Sequence, residues 1–183
     1  MSEVTYTLKT PPLENDHHQG LLSASIVIVE YADFQCPLSA AVAPVLDKIF
    51  HRYDDVCIIF RHFPIITIHT NAGVAAVATE AANRQGKFWE MHHALFSKQQ
   101  DLSTENIFAI AKSLGLNMRE FLNDLENEKL LDHIRKDIKS GVNNGIIDIP
   151  TIFINGIRFE GSPTLDELSE EIDQILSDNQ SYL

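Results

Sequence analysis

The order strand, cysteine, helix, strand near the start of the chain constrains its fold most. Ile26-Val27-Ile28-Val29 is a β-branched apolar run that continues through Glu30 and Tyr31. That is the pattern of a strand buried on both faces, in the middle of a parallel or mixed sheet. Glu30 is the one charged residue in it. After a break at Ala32-Asp33-Phe34-Gln35 comes Cys36-Pro37, and then Val42, Val45, Leu46, Ile49 and Phe50 at helical spacing. Proline fits only the first turn of a helix, where its missing N–H has no helical partner to lose. Cys36 therefore falls at the N-terminal end of this helix. Asp54-Asp55 turns the chain into a second strand over residues 56–63, which ends before Pro64. A strand, a helix and a strand in this order make a right-handed crossover with parallel strands, so the fold class is α/β.

The rest of the chain divides cleanly. Residues 4–8 have strand character, and the polar stretch 14–20 after Pro11-Pro12 has the composition of a surface loop. Residues 71–145 are helical by pattern. They comprise an alanine-rich segment stopping at Gly86, a segment carrying Phe88, Trp89, Leu95 and Phe96, a helix capped by Ser103 and stopping at Gly115, and a capping box of Asn117 with Glu120. The last of these helices, over 128–144, puts Leu131, Ile134, Ile138 and Val142 on one stripe. Strand pattern returns at Thr151-Ile152-Phe153-Ile154, and Asn155-Gly156 predicts a hairpin back through Ile157-Arg158-Phe159. A final helix carries Leu165, Leu168, Ile172, Ile175 and Leu176. At 183 residues the chain suits one domain, 1–183.

Charge and cysteine usage narrow the partners. A formal net charge of −12 disfavours a phosphate-tracking surface, so nucleic acid is not expected. No apolar run approaches the roughly 18–20 residues of a membrane span, so no membrane partner is expected either. The first residues lack the basic start and apolar core of an export signal, and two cysteines are too few for a disulfide scaffold. A cytoplasmic location is the expectation.

Chemistry centres on Cys36. Unpaired amides and the positive end of the helix dipole favour thiolate over thiol at such a position. A small buried residue that happens to precede a proline would give the same local pattern, so pattern alone leaves both open. Cys57 begins the strand after the helix. About 16 residues at 1.5 Å, roughly 24 Å, separate the two sulfurs, whereas a disulfide tolerates only about 7 Å between α-carbons; Cys57 is expected to be a core residue. Of the eight histidines no pair shows metal-ligand spacing. His17-His18 fall in a loop, His92-His93 point in different directions, and His62 and His69 could approach the site. Surface or capping roles are expected for them, with no metal.

Four segments taken together resemble the DsbA-like thiol-disulfide oxidoreductases of the thioredoxin-fold superfamily. They are Val29-Glu30-Tyr31 followed by Asp33-Phe34-Gln35-Cys36-Pro37, then Phe60-Arg61-His62-Phe63-Pro64, Gly86-Lys87-Phe88-Trp89-Glu90-Met91-His92, and Ile149-Pro150-Thr151 leading into Phe153-Ile154-Asn155-Gly156. The resemblance implies a thioredoxin fold over about 1–66 and 146–183, with a helical insertion over about 69–145 between its βαβ and ββα halves. It implies that Cys36 is the attacking cysteine, and that Glu30 is a buried acid beneath the active-site helix able to relay a proton. It implies that Pro150 is a cis-proline beside Cys36, leaving the Ile149 backbone to pair with a substrate peptide. Pro37, Leu38, Ile149 and Pro150 form the implied substrate-binding set. From the residues alone, Glu30 could also be a strand-end carboxylate reaching solvent, and Pro150 a trans residue at a strand start.

One departure matters: the usual Cys-Pro-x-Cys reads Cys36-Pro37-Leu38-Ser39 here. A serine hydroxyl cannot resolve a mixed disulfide, although Ser39 could donate a hydrogen bond that holds Cys36 as thiolate. The expected activity is thus monothiol exchange (mixed-disulfide formation, isomerisation or deglutathionylation) with protein or peptide disulfides. An external thiol, glutathione being the candidate co-substrate, completes the cycle, and no tightly bound cofactor is expected. Two other functions remain open: a redox-inactive peptide- or partner-binding module, and a glutathione-linked small-molecule isomerase or transferase.

Overall fold

A computed structural model describes residues 6–180. In chain order these form β1 (His17–Gln19), β2 (Ile26–Ala32), α1 (Pro37–Arg52), β3 (Val56–His62), α2 (Ala72–Asn83), α3 (Phe88–Ser97), α4 (Thr104–Ser113), α5 (Met118–Leu125), α6 (Glu128–Asn143), β4 (Thr151–Ile154), β5 (Ile157–Arg158) and α7 (Leu165–Gln180). The five strands make one sheet in the order β1-β3-β2-β4-β5. β2 and β3 run parallel, with Glu30 beside Phe60, and β4 lies antiparallel on the other side of β2. This is the βαβ crossover joined to a ββα half, with α2 to α6 inserted between them.

Period-two alternation decides which residues meet which helices. Ile26 and Ile28 of β2, Ile58 of β3, and Ile152 and Ile154 of β4 share one face and pack under Val42, Leu46 and Ile49 of α1 and Leu168 and Ile172 of α7. Further along that face, Phe60 packs with Phe34 and the alanine-rich side of α2, then with Phe88, Met91 and Leu95 of α3. The opposite face carries Val29, Tyr31, Cys57, Ile59 and Phe153, with Ile146 and Ile149 packed against them.

The hairpin forms as its turn residues require. Asn155 and Gly156 have φ of 47° and 82°, the paired positive values of a tight two-residue turn. The Asn155 carboxamide accepts from the Val27 N–H at 2.8 Å and donates to the Ser25 carbonyl at 2.9 Å, tying the hairpin to the start of β2. Alanine at this position loses both bonds and still needs a positive φ. Asn155→Ala is expected to lower stability by about 1–3 kcal/mol, read as a fall in the urea midpoint with unchanged slope.

Three expectations need correction. Residues 17–19 are a strand: His17 pairs with Phe60 across an antiparallel ladder. Nothing in His-His-Gln has strand propensity, and the pairing rests on tertiary contacts of His17. Among the described residues of the 4–8 segment, Thr7 forms an isolated β-bridge with Ile157, flanked by hydrogen bonds from the Leu8 N–H to the Gly156 carbonyl and from the Arg158 N–H to the Tyr6 carbonyl; Val4 and Thr5 lie outside the described residues. In α6 the inward side is Leu130, Ile134, Asp137, Ser140 and Gly141, whereas Val142 is 61 % exposed. The helix is rotated because partners behind it need polar atoms. Asp137 accepts from the His62 N–H at 2.9 Å, and the Ser140 and Tyr31 hydroxyls meet at 2.7 Å. At Gly141 a Cβ would come within 2.6 Å of the Phe63 ring, so a larger residue there would have to displace that ring.

Candidate active site

Cys36 is the N-cap of α1, with Pro37 as the first helical residue. The Cys36 N–H donates to the Asp33 carbonyl at 3.0 Å, closing the turn that separates β2 from the helix. The sulfur lies 3.7 Å from the carbonyl oxygen of Ile149, and the Ile149–Pro150 peptide bond is cis. Cys36 is 6 % exposed, while Leu38 beside it is 65 % exposed. The sulfur thus sits at the edge of the apolar cluster of Tyr31, Ile146 and Ile149, beneath an open helix N-terminus.

Glu30 lies on the α1 face of β2 and is 2 % exposed, so it does not reach solvent. Its Oε1 has no hydrogen-bond partner. Burial, and then the Asp47 carboxylate, push its carboxyl up to about 8. The acid is therefore held protonated at neutral pH. Ser39 is fully buried, and its hydroxyl accepts from the Asp33 N–H at 3.4 Å. The bond to Cys36 expected of it is not among the described contacts, because the hydroxyl is engaged with the turn. Cys57 is wholly buried as the second residue of β3, with burial first and Asp16 second pushing its thiol up to about 11. Both cysteines are free.

Sequence reasoning missed what holds the turn. Asp33 is buried, and its carboxylate accepts from the Gln35 N–H at 2.7 Å, the Ile65 N–H at 2.8 Å and His69 Nδ1 at 2.8 Å. The Gln35 side chain accepts from the Asn71 N–H. Gln99, just beyond α3, donates to the carbonyls of Phe34 and Cys36 at 2.9 and 2.7 Å. An aspartate three residues before the cysteine is a turn signal that could have been read; Gln99 leaves no local signature at all.

The histidines also depart from a surface role. His17, His62 and His92 are buried. His92 is enclosed by Phe34, Phe60, Phe88 and Phe96, and neither ring nitrogen has a partner. His17 and His62 both place Nε2 on Oε1 of Glu80, at 2.5 and 3.0 Å. Burial alone would raise the Glu80 carboxyl, but the two imidazoles outweigh it and hold the group well below the usual carboxylate range. His69 is the one that meets the active-site turn.

A cysteine at the N-terminus of the first helix after the central strand, facing a cis-proline across the site, with a helical insertion between the two halves, defines a DsbA-like thioredoxin-fold protein. The chain belongs to the thioredoxin family, whose model matches residues 13–174. Among solved structures it is similar to BdbD from Bacillus subtilis, with a TM-score of 0.80 and 24 % identity over 95 % of this chain and 98 % of that one. It is also similar to a thioredoxin-like oxidoreductase from Silicibacter pomeroyi, with a TM-score of 0.80 and 21 % identity over 90 % and 94 % of the two chains. A stretch covering 81 % of the chain is 37 % identical to part of a protein named Na(+)/H(+) antiporter NhaA 1 from Mycolicibacterium vanbaalenii. The match to an NhaA antiporter of Herminiimonas arsenicoxydans is 35 % over 83 % of the chain. The chain spans about a quarter of the length of these curated relatives, 24 % in both cases.

Proposed function

We propose that this protein is a thiol-disulfide oxidoreductase of monothiol type. The observation that carries the reading is a single cysteine at the N-cap of α1, 3.7 Å from the carbonyl that precedes cis-Pro150, with Ser39 where a second thiol would stand. The Cys36 thiolate attacks one sulfur of a substrate disulfide, forming a mixed disulfide and expelling the other sulfur as a thiolate that takes up a proton. A glutathione thiolate then attacks the mixed disulfide and regenerates Cys36. When the substrate is a glutathionylated protein, the products are the protein thiol and oxidised glutathione, so glutathione supplies both electrons. Leu38, Ile66 and Ile147, chain neighbours of the site, are 65 %, 65 % and 88 % exposed, which supports a peptide rather than a small polar substrate. The reading takes its chemistry from the cysteine and not from the antiporter names, since the matched stretch is a quarter of those chains. It places the cycle in the cytoplasm, where glutathione is reduced.

Incubation with oxidised glutathione followed by intact-mass measurement tests this. The native chain and Cys57→Ser are expected to take up one glutathione, and Cys36→Ser none. Absence of an adduct on the native chain would leave a binding module instead. Ser39→Cys is expected to gain reduction of insulin by dithiothreitol, because the new thiol stands one helical turn from Cys36; a variant that folds and gains nothing would count against the proposed site geometry.

A further inference from the structure

Away from Cys36, three chain segments bring nitrogen and carboxylate donors together inside the protein. His17 comes from β1, Glu80 from α2 and His133 from α6, and one donor atom from each lies within 4.8 Å of the other two. His17 and Glu80 side chains are 6 % and 4 % exposed, and His133 is 19 % exposed. Arg61, the nearby buried cation, is committed to Asp16 through both of its forked N–H groups. The described ion pairs of Glu80 are with imidazoles alone.

We propose that His17, Glu80 and His133 bind one zinc ion. Two imidazoles and a carboxylate, with a fourth position open, make a donor set suited to a first-row divalent metal of borderline softness and poorly suited to calcium or magnesium. Tetrahedral zinc with bonds of about 2.0–2.1 Å holds its ligand atoms about 3.3 Å apart. The His17–Glu80 contact of 2.5 Å must therefore open slightly while His133 closes in. The His17 and His133 rings are stacked at 4.5 Å with 23° between their planes, so one of them turns for both lone pairs to converge. His133 has room to do so, since it borders a small cavity shared with Thr10, Leu13 and Lys136 that also gives the ion a way in.

An outer shell is present as well. His62 holds Glu80 through Nε2 at 3.0 Å, and Asp137 stands 3.7 Å from His133 Nε2. Such partners orient the ligands that hold the metal. The ion would tie the three-residue β1 to the first and last helices of the insertion, a structural role independent of the chemistry at Cys36.

The test uses the full chain carrying Cys36→Ser, so that no accessible thiol competes. After stripping with a chelator, with circular dichroism confirming the fold, zinc is titrated against a chromophoric competitor and cobalt(II) is added separately. The proposal expects one zinc per chain, a raised thermal midpoint in zinc, and the strong visible absorption of tetrahedral cobalt. His133→Asn should weaken zinc binding at least tenfold, and Asp137→Asn by about 10–100-fold. The absence of stoichiometric binding by the stripped chain would mean that the cluster shares protons only, and would overturn the proposal. So would unchanged affinity in a folded His133→Asn. Should that variant not fold, the cobalt spectrum of the unsubstituted cluster decides: octahedral, weakly absorbing cobalt overturns the site.

Discussion

Glu30→Gln is expected to make the protein more stable than the native chain at pH 9 by about 4 kcal/mol, with the difference vanishing near pH 4. Burial, and then the charge of Asp47, raise the carboxyl to about 8 in the folded chain, whereas an unfolded glutamate titrates near its ordinary value. Below the ordinary value the group is protonated in both states and contributes nothing to the difference. Between there and about 8 the folded chain keeps a proton that the unfolded chain releases, so stability falls as pH rises. Above about 8 the buried carboxylate is ionised and the full penalty is present. Asp137, raised to about 8 chiefly by burial, adds a decline of the same sign. Urea unfolding across pH 4.5–9 should therefore show a native-chain stability that drops steadily and then levels, and a shallower drop in Glu30→Gln. Parallel curves for the two proteins would show that Glu30 is ionised throughout.

Arg61→Met is expected to cost about 3–5 kcal/mol. Arg61 is 1 % exposed. Nε and Nη2 donate to the two oxygens of Asp16 at 3.0 and 2.8 Å, while Nη1 and Nη2 donate to the carbonyls of Thr10 and Pro11 at 3.0 and 2.9 Å. Nη1 also donates to the Tyr31 hydroxyl at 2.8 Å. Removing the cation leaves Asp16 enclosed without its partner and releases the segment leading into β1. A cycle with Asp16→Asn separates pairing from packing: the double variant should be more stable than the sum of the single losses predicts, by 2 kcal/mol or more. Strict additivity would mean that the pair contributes nothing beyond shape.

The parts of the fold legible in the sequence are those with strong local periodicity. The apolar run into Cys36-Pro37 gives β2 and the start of α1, and Asn155-Gly156 gives the β4–β5 turn, because each residue there is dictated by its own backbone. The asparagine cap of α5 was legible for the same reason: Asn117 accepts from the N–H groups of Arg119 and Glu120. Elements whose stability comes from distant partners were not legible. β1 is held by His17 against Glu80 and by stacking on Phe88 at 3.6 Å, contacts that cross more than sixty positions of chain. The inward side of α6 was misread because it follows polar demand, His62 N–H and the Tyr31 hydroxyl, rather than apolar spacing. In the site itself, Cys36, Glu30 and Pro150 were found by motif. His69 was named as able to approach the site, and it does so through Asp33; the bonds made by Asp33 and Gln99 were not foreseen, because they exist only once separate loops meet.

The Gln99 carboxamide has a consequence for motion. It is the one described side chain that grips the carbonyls on both sides of Gln35, and it belongs to the segment following α3 rather than to the sheet. Any slackening where α3 gives way to α4 would be transmitted to the nucleophile through two bonds. The placement of the nucleophile is thereby tied to the insertion as well as to the sheet.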